Sequence, residues 1–337
     1  MTTTIIVGGM WGDEGKGKII SYIAYTEDPF IIARGGVGPN AGHTVVFEGK
    51  KYGLRMIPSG FTSKKSRLLV GAGVLVTPEV FLKEIKETGC ADRIGIDAQA
   101  GIIEESHRQR DQKDEHLRDK IGSTGTGCGP ANEDRAKRIL KLAKDVPELK
   151  KYITDVSREI NEAIESGKNV LIEGTQGTML SLFHGTYPYV TSKDVTASQM
   201  CADVGIGPTK VDEVIIVFKA FMTRVGEGPM PGTISLEEAK AKGWDEYGTV
   251  TGRPRRAAPI DFDVARKAVQ LNGATQIALP KLDIIFPEIA GADNEEKLSK
   301  EALEFIANIE KETGIPVTLI GTGPEAESLI DLRKSKL

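Results

Sequence analysis

Two lysines and two carboxylates share one glycine-rich stretch, Gly8-Gly9-Met10-Trp11-Gly12-Asp13-Glu14-Gly15-Lys16-Gly17-Lys18. A β-branched run, Ile5-Ile6-Val7, leads into it, and an apolar helix start, Ile19-Ile20, follows. Strand, glycine turn and helix make a phosphate-binding arrangement. Glycines let backbone N–H groups close on an anion, and the helix adds its positive end. Lys16 supplies a point charge within reach of phosphate oxygens. The stretch departs from the Walker A pattern, which needs a glycine five residues before Gly-Lys and a Ser or Thr after it. Met10 stands in place of that glycine and Gly17 in place of the hydroxyl that holds Mg²⁺. Asp13 and Glu14 bring negative charge into the loop instead, which repels phosphate unless a metal or a proton transfer uses it.

Further loops carry polar chemistry. Arg34-Gly35-Gly36-Val37-Gly38-Pro39-Asn40-Ala41-Gly42-His43-Thr44 follows a second apolar run. Its imidazole suits proton donation to a phosphate, and its Asn suits reading a base or sugar edge. Ile121-Gly122-Ser123-Thr124-Gly125-Thr126-Gly127 offers hydroxyls to an anion, and Arg135, Lys137 and Arg138 follow on a predicted helix, where a solvated basic face is an equal reading. Glu173-Gly174-Thr175-Gln176-Gly177-Thr178 ends another strand-like run, and His184–Ser192 is rich in hydroxyls. Thr249-Val250-Thr251-Gly252-Arg253-Pro254-Arg255-Arg256 sets three arginines around a proline, suited to bidentate pairing with carboxylate or phosphate. Nucleic-acid binding competes for that cluster, but no aromatics are interleaved. Pro280-Lys281-Leu282-Asp283 places an Asp where it can accept both N–H groups of a guanine edge, although Lys-x-Asp alone is common; beside a phosphate loop it favours GTP over ATP. Gly321-Thr322-Gly323-Pro324 is placed to close over a base or ribose. Together these loops point to a nucleotide-using enzyme with a second anionic substrate.

The elements that must position them alternate. Strand-like runs fall at Phe30–Ala33, Leu68–Val70, Val170–Ile172, Val214–Phe218, Gln276–Leu279 and Val317–Ile320. Helical patterns fall at Pro78–Thr88, Asp145–Ser166, Asp261–Asn272 and Asn294–Thr313. Unbroken apolar strands alternating with helices predict a large, mainly parallel α/β sheet covered on both faces, with ligands at the carboxyl ends of its strands. Val45–Met56 reads as a hairpin and the polar segment Glu104–Lys120 as a solvated helix or arm. No repeat or low-complexity linker divides the 337 residues, so one domain with loop and helical insertions is expected. A net charge of −4 gives no global attraction to nucleic acid or membrane, and three scattered cysteines exclude a disulfide framework. Thirty-eight glycines exceed the roughly 24 that a usual share of about 7% would give, in keeping with many ligand-facing loops. No apolar run approaches about 18 residues, and a cytoplasmic location is expected.

The strings Trp-Gly-Asp-Glu-Gly-Lys-Gly-Lys, Asn-Ala-Gly-His-Thr, Glu-Gly-x-Gln-Gly-Thr, His-Gly-Thr-Tyr-Pro-Tyr-Val-Thr-Ser and Thr-Gly-Arg-Pro-Arg-Arg, in this order along nearly the whole chain, resemble the adenylosuccinate synthetase family. The resemblance implies a P-loop-NTPase-like α/β fold and a GTP-dependent ligation of L-aspartate to IMP through 6-phosphoryl-IMP, in AMP biosynthesis. It implies that Asp13 is the base and His43 the acid, with Lys16 and Gln176 completing the catalytic set. GTP would be held by Gly12, Asp13, Glu14, Gly15, Lys16, Gly17, Lys18, Gly42, His43, Thr44, Arg255, Lys281, Leu282, Asp283, Gly321, Thr322 and Gly323. IMP would meet Asp13, Glu14, Gly15, Lys16, Asn40, Ala41, Gly42, His43, Thr124, Gln176, Thr191 and Arg253, with Arg138 reaching in from the other subunit of a homodimer. Aspartate would be closed upon by Thr249, Val250, Thr251, Gly252, Arg253, Pro254 and Arg255. Mg²⁺ would sit on Asp13 and the Gly42 carbonyl, which answers the missing loop hydroxyl.

The chain departs from the family in two ways. It is short, trimmed between Arg138 and Gly167 and before Thr249, and Thr126 stands where many members carry Arg. Two other classes share the phosphate loop. A regulatory GTPase leaves the arginine and Asn-Ala-Gly-His loops without a ligand, and another P-loop-like amide ligase releases phosphate without IMP.

Overall fold

A computed structural model describes residues 2–248 and 252–337. Among them, ten strands form one sheet: β1 (Thr3–Gly8), β2 (Ile31–Arg34), β3 (Arg67–Val70), β4 (Ile94–Asp97), β5 (Ile153–Thr154), β6 (Val170–Glu173), β7 (Glu213–Val217), β8 (Gln276–Leu279), β9 (Val317–Gly321) and β10 (Leu329–Asp331). Their spatial order is β10-β9-β8-β7-β1-β6-β2-β3-β4-β5, parallel throughout except for β10, which runs against β9. The amphiphilic choice that normally marks a strand is missing because both faces are covered. Ile5 and Val7 turn to one core with Ile172 and Ile216, while Ile6 turns to the other with Leu171, Ile215 and Val217.

Helices form where spacing and caps agree. The helix Pro78–Thr88 begins on a first-turn proline and ends at Gly89. The helix Phe262–Asn272 is capped by the Asp261 carboxylate, which accepts the Val264 N–H at 3.0 Å, and it buries Ala265, Ala268 and Asn272. The helix Lys300–Thr313 is capped by Ser299 and buries Ala302, Ile306 and Ile309. It starts later than the helical pattern from Asn294, because a 3₁₀ turn at Glu295–Lys297 intervenes before the serine cap.

The stretch Asp145–Ser166 is corrected more substantially. Pro147 starts a 3₁₀ segment to Tyr152, Ile153–Thr154 pairs as the edge strand β5, and a helix begins only at Val156, behind the Asp155 cap. Helical periodicity persisted across two breaks that each needed a separate start. The edge strands β5 and β10 are only two and three residues long, too short for a strand pattern, and in β4 (Ile94–Asp97) a glycine and an aspartate break the apolar run. Val45–Met56 is the expected hairpin, His43–Phe47 pairing antiparallel with Lys50–Leu54. The polar segment 104–120 contains the helix Glu105–Lys113 and the turn His116–Ile121. It is more than a solvated arm, for His107 and Asp111 are buried. No helix among the described residues is long and apolar enough to cross a membrane.

Because the strands run the same way, the turns after β1, β2, β6, β7, β8 and β9 leave from one edge. Gly15, the cap of the helix Lys16–Glu27, sits at φ +96°, and a Cβ there would lie 3.1 Å from Pro280 Cγ in the turn after β8. Gly273, at φ +58°, has open space around it. Gly15→Ala is therefore expected to lower stability by about 1–2 kcal/mol for the left-handed backbone, plus the cost of moving Pro280. Gly273→Ala isolates the first component, and equal denaturant midpoints for the two variants would show the Pro280 contact to cost nothing.

Candidate functional site

Five of these turns, those after β1, β2, β6, β8 and β9, line a cleft of about 1100 Å³. Its walls include Gly12, Asp13, Gly15, Lys16, Gly17 and Lys18 from the turn after β1, and Asn40, Ala41, Gly42, His43 and Thr44 from that after β2. Thr124, Gln176, Thr191, Arg253, Arg255, Lys281, Asp283 and Gly323 also line it. Seven expected residues among those described are absent from the lining. Glu14 is buried inside its own loop, Leu282 is buried in the core, and the buried Thr322 hydroxyl donates to the Ala292 carbonyl at 2.8 Å. Arg138 caps the helix Cys128–Lys137 at φ +63°, exposed and outside the cleft lining. Gly321 ends β9, and Gly252 and Pro254 are exposed beside the cleft lining. Thr249, Val250 and Thr251 lie outside the described residues.

The phosphate loop is closed by its own acid. Glu14 Oε1 accepts the N–H groups of Met10 (3.0 Å) and Gly12 (2.8 Å), and Oε2 accepts from Lys16 Nζ at 2.7 Å. Lys16 Nζ also donates to the Gln176 carbonyl at 2.5 Å, joining the turns after β1 and β6. Lys18 reaches the opposite way, to the carbonyls of Gly323 (2.5 Å) and Ser328 (2.6 Å), and burial lowers its pKa to about 8. Asp13 remains in the cleft with a side chain 27% exposed, and Arg255 Nη2 meets its Oδ1 at 3.0 Å. Burial raises the Asp13 pKa, opposed by Arg255 and Lys219.

His43 stands opposite. Its Nδ1 bonds Glu173, a carboxylate that also takes Arg34 Nη1 (2.9 Å), Ser59 N–H (2.6 Å) and Ser59 Oγ (2.7 Å). His43 Nε2 and Gln176 Nε2 are both buried without a hydrogen-bond partner among the described residues. Burial, then Arg34, push the His43 pKa down to about 4 despite Glu173. A polar pocket lies beyond: Asn40 Nδ2 donates to Thr191 Oγ1 (3.3 Å), Thr124 and Thr126 hydroxyls meet at 3.0 Å, and Arg253 Nη2 donates to the Gly122 carbonyl (2.8 Å).

Several contributors carried no readable signal. Glu246 binds Lys219 Nζ at 2.7 Å and also holds Arg255 and Lys281. These cations depress its pKa against the effect of burial. Lys219, two residues past the end of β7, is the exception, since the strand-end rule could have found it. Asp111 accepts from Ser123 Oγ (2.6 Å) and Gly127 N–H (2.8 Å), shaping the turn that carries Thr124. No group of three His, Cys, Asp or Glu among the described residues is arranged to hold a metal. The half-buried Asp13 carboxylate and the cleft-facing Gly42 are hard oxygen donors of the kind that suits Mg²⁺ arriving with phosphates and water.

Comparison with known proteins converges. The family model described as adenylosuccinate synthetase matches residues 5–144 and 138–289. A protein named adenylosuccinate synthetase from Methanocaldococcus jannaschii is 63% identical over 336 residues, covering 99% of this chain and 97% of that protein. One of the same name from Archaeoglobus fulgidus is 58% identical across 100% of both chains. Among solved structures, fully ligated adenylosuccinate synthetase from Plasmodium falciparum superposes with a TM-score of 0.91 at 26% identity, covering 98% of this chain and 100% of that one. A cyanophage S-2L succinoaminodeoxyadenylate synthetase bound to dGMP and dATP gives 0.81 at 26% identity, covering 98% and 95%.

The His43 environment has a measurable consequence. Its pKa falls from 6.5 to about 4 on folding, so between those values the unfolded chain binds the extra proton and stability must fall as pH falls. Wild type is expected to lose more stability than His43→Asn from pH 6.5 to about 4. Parallel denaturant midpoints across that window would contradict a buried neutral ring.

Proposed function

The chain belongs to the adenylosuccinate synthetase family, GTP-dependent ligases of AMP biosynthesis that join L-aspartate to IMP, and we propose how its cleft divides that work. Residues 1–337 act as one α/β unit with insertions, in keeping with a single sheet whose strands run from Thr3 to Asp331. The C6 oxygen of IMP is a poor leaving group, so the reaction first converts it to a phosphoryl ester. Asp13 takes the N1 proton as O6 attacks the γ-phosphate, and the bond to the β-phosphate breaks to leave GDP. The aspartate amine then adds at C6, phosphate departs, and the amine gives up a proton.

One observation carries this division: strand-end turns bring Asp13, Lys16, His43 and Gln176 to one cleft, where His43 Nε2 and Gln176 Nε2 are buried and have no partner among the described residues. The Gln176 amide is a donor fixed in advance at a dry site, suited to charge developing on phosphoryl oxygens and on O6, and the His43 ring joins it once Nε2 takes up a proton. Gly12–Lys18 and Gly42–Thr44 hold the GTP phosphates, Lys281 and Asp283 meet the guanine, and Gly321–Gly323 border it. Asp283 Oδ1, buried with no partner among the described residues, is in keeping with a base-reading acceptor. Asn40, Thr124, Thr191 and Arg253 hold IMP, and residues 249–255 close on aspartate. Asp13 and the Gly42 carbonyl would hold Mg²⁺, which would supply neutralisation of phosphate charge. Arg138, exposed beside the exposed Ile139, reaches the IMP site of a second copy in a homodimer.

Phosphate release should require GTP, Mg²⁺, IMP and aspartate together, with an ultraviolet change marking the 6-amino purine. Release with GTP alone would instead identify a GTPase. Asp13→Ala and His43→Asn are each expected to abolish turnover while the circular-dichroism melt persists; a near-normal rate in either removes that residue from the chemistry. Arg138→Leu should weaken IMP binding far more than GTP binding, and equal losses in titration calorimetry would exclude the cross-subunit contact.

A further inference from the structure

We propose that Glu173 is a positioning residue, whose buried carboxylate fixes the His43 ring with Nδ1 inward as a donor and Nε2 facing the transferred phosphoryl group. The proposal rests on the role given to His43 above.

Glu173 closes β6, and its register partner on the neighbouring strand is Arg34, the last residue of β2. Both side chains are fully buried. A carboxylate in such a place is costly unless every oxygen is engaged. Here the two oxygens take four donors: Arg34 Nη1, the Ser59 N–H, the Ser59 hydroxyl and His43 Nδ1. Burial raises the Glu173 pKa, but Arg34, His43 and Ser59 together reverse it, so the group is an ionised acceptor without a proton to give.

That settles which ring nitrogen carries hydrogen. The groups around Nδ1 are Glu173, Arg34 at 3.5 Å and Ser59 Oγ at 3.4 Å. Arg34 is a donor only, and the Ser59 hydroxyl hydrogen is directed to Glu173 Oε1, so Nδ1 must donate to the carboxylate. The other edge of the ring is then committed to the cleft, where Nε2 is unpartnered among the described residues. A proton passed between His43 and a phosphoryl oxygen is carried on Nε2, and the Glu173 charge stabilises the ring while it is carried there. The arrangement follows the logic of a carboxylate that orients a catalytic histidine without titrating itself. Arg34 Nη2 also donates to the Ala41 carbonyl at 3.3 Å, so the same pair sets the height of the loop from which His43 projects.

The alternative is that Glu173 and Arg34 only join β6 to β2. Two measurements on the full-length enzyme separate the cases. In a ¹⁵N–¹H spectrum of the histidine rings, with the His43 signals identified by their loss in His43→Asn, wild type should show the Nδ1–H tautomer. In Glu173→Gln the amide N–H₂ can turn toward Nδ1 and invert the tautomer. Then kcat should fall about 10- to 100-fold, as for other partners that orient a functional histidine, with KM for GTP, IMP and aspartate nearly unchanged. Glu173→Asp, which keeps the charge, should recover part of kcat. A wild-type ring protonated on Nε2, an unchanged kcat in Glu173→Gln, or a loss carried by KM with the tautomer intact would each overturn the proposal. If Glu173→Gln does not fold, the wild-type spectrum alone decides. An active His43→Asn would remove the role of His43 itself, whereas an inactive His43→Asn with a Nε2–H ring would sink only this inference.

Discussion

The site depends on β1 being held between two parallel neighbours in nearly level register. Ile6 lies beside Glu173 of β6, Gly8 beside Val217 of β7, and Glu173 in turn beside Arg34 of β2. Because these ends coincide within a residue or two, the turns that follow them touch. Lys16 meets the backbone of Gln176, and the ring of His43 meets Glu173, over distances that chain connectivity alone would never bring together. A one-residue slip of β6 would turn its side chains to the opposite face of the sheet and take Glu173 from both Arg34 and His43. The two apolar layers that reject such a slip therefore hold the polar cleft in shape as well as the fold.

A second set of charges spans the cleft mouth. Glu246 gathers Lys219, Lys281 and Arg255, and Arg255 passes the connection on to Asp13. The segment that carries the arginine cluster is thus linked electrostatically to the turn after β8 and to the phosphate loop. Separating Lys219 or Arg255 from Glu246 leaves a poorly solvated charge behind, which costs on the order of 3–5 kcal/mol when one partner of a buried pair is lost, whereas the more exposed Lys281 counts for less. Charge balance here belongs to the group and not to a single pair.

Much of this was legible in the chain. The glycine loop after Val7, the helical patterns Pro78–Thr88 and Asp261–Asn272 and the apolar strands were all local signals, and local signals survive folding. The contributors that stayed hidden are those defined by a distant partner. Glu173 and Arg34 are 139 residues apart, and Glu246 and Lys281 are 35 apart. No spacing rule pairs them. Asp111 was concealed differently, by a polar neighbourhood in which one inward-facing acid looks like any other. The break inside Asp145–Ser166 was marked by Pro147 and Asp155, but the continuing helical period outweighed those marks.

Glu14 gives the phosphate loop an occupant of its own. The carboxylate sits on two loop N–H groups and on Lys16, in a pose that resembles an anion already delivered. Entry of a nucleotide is then an exchange of ligands and not the filling of a vacancy. The tethered competitor is always present at high effective concentration. A phosphate entering the loop would have to compete with it for Lys16 and for the two amides.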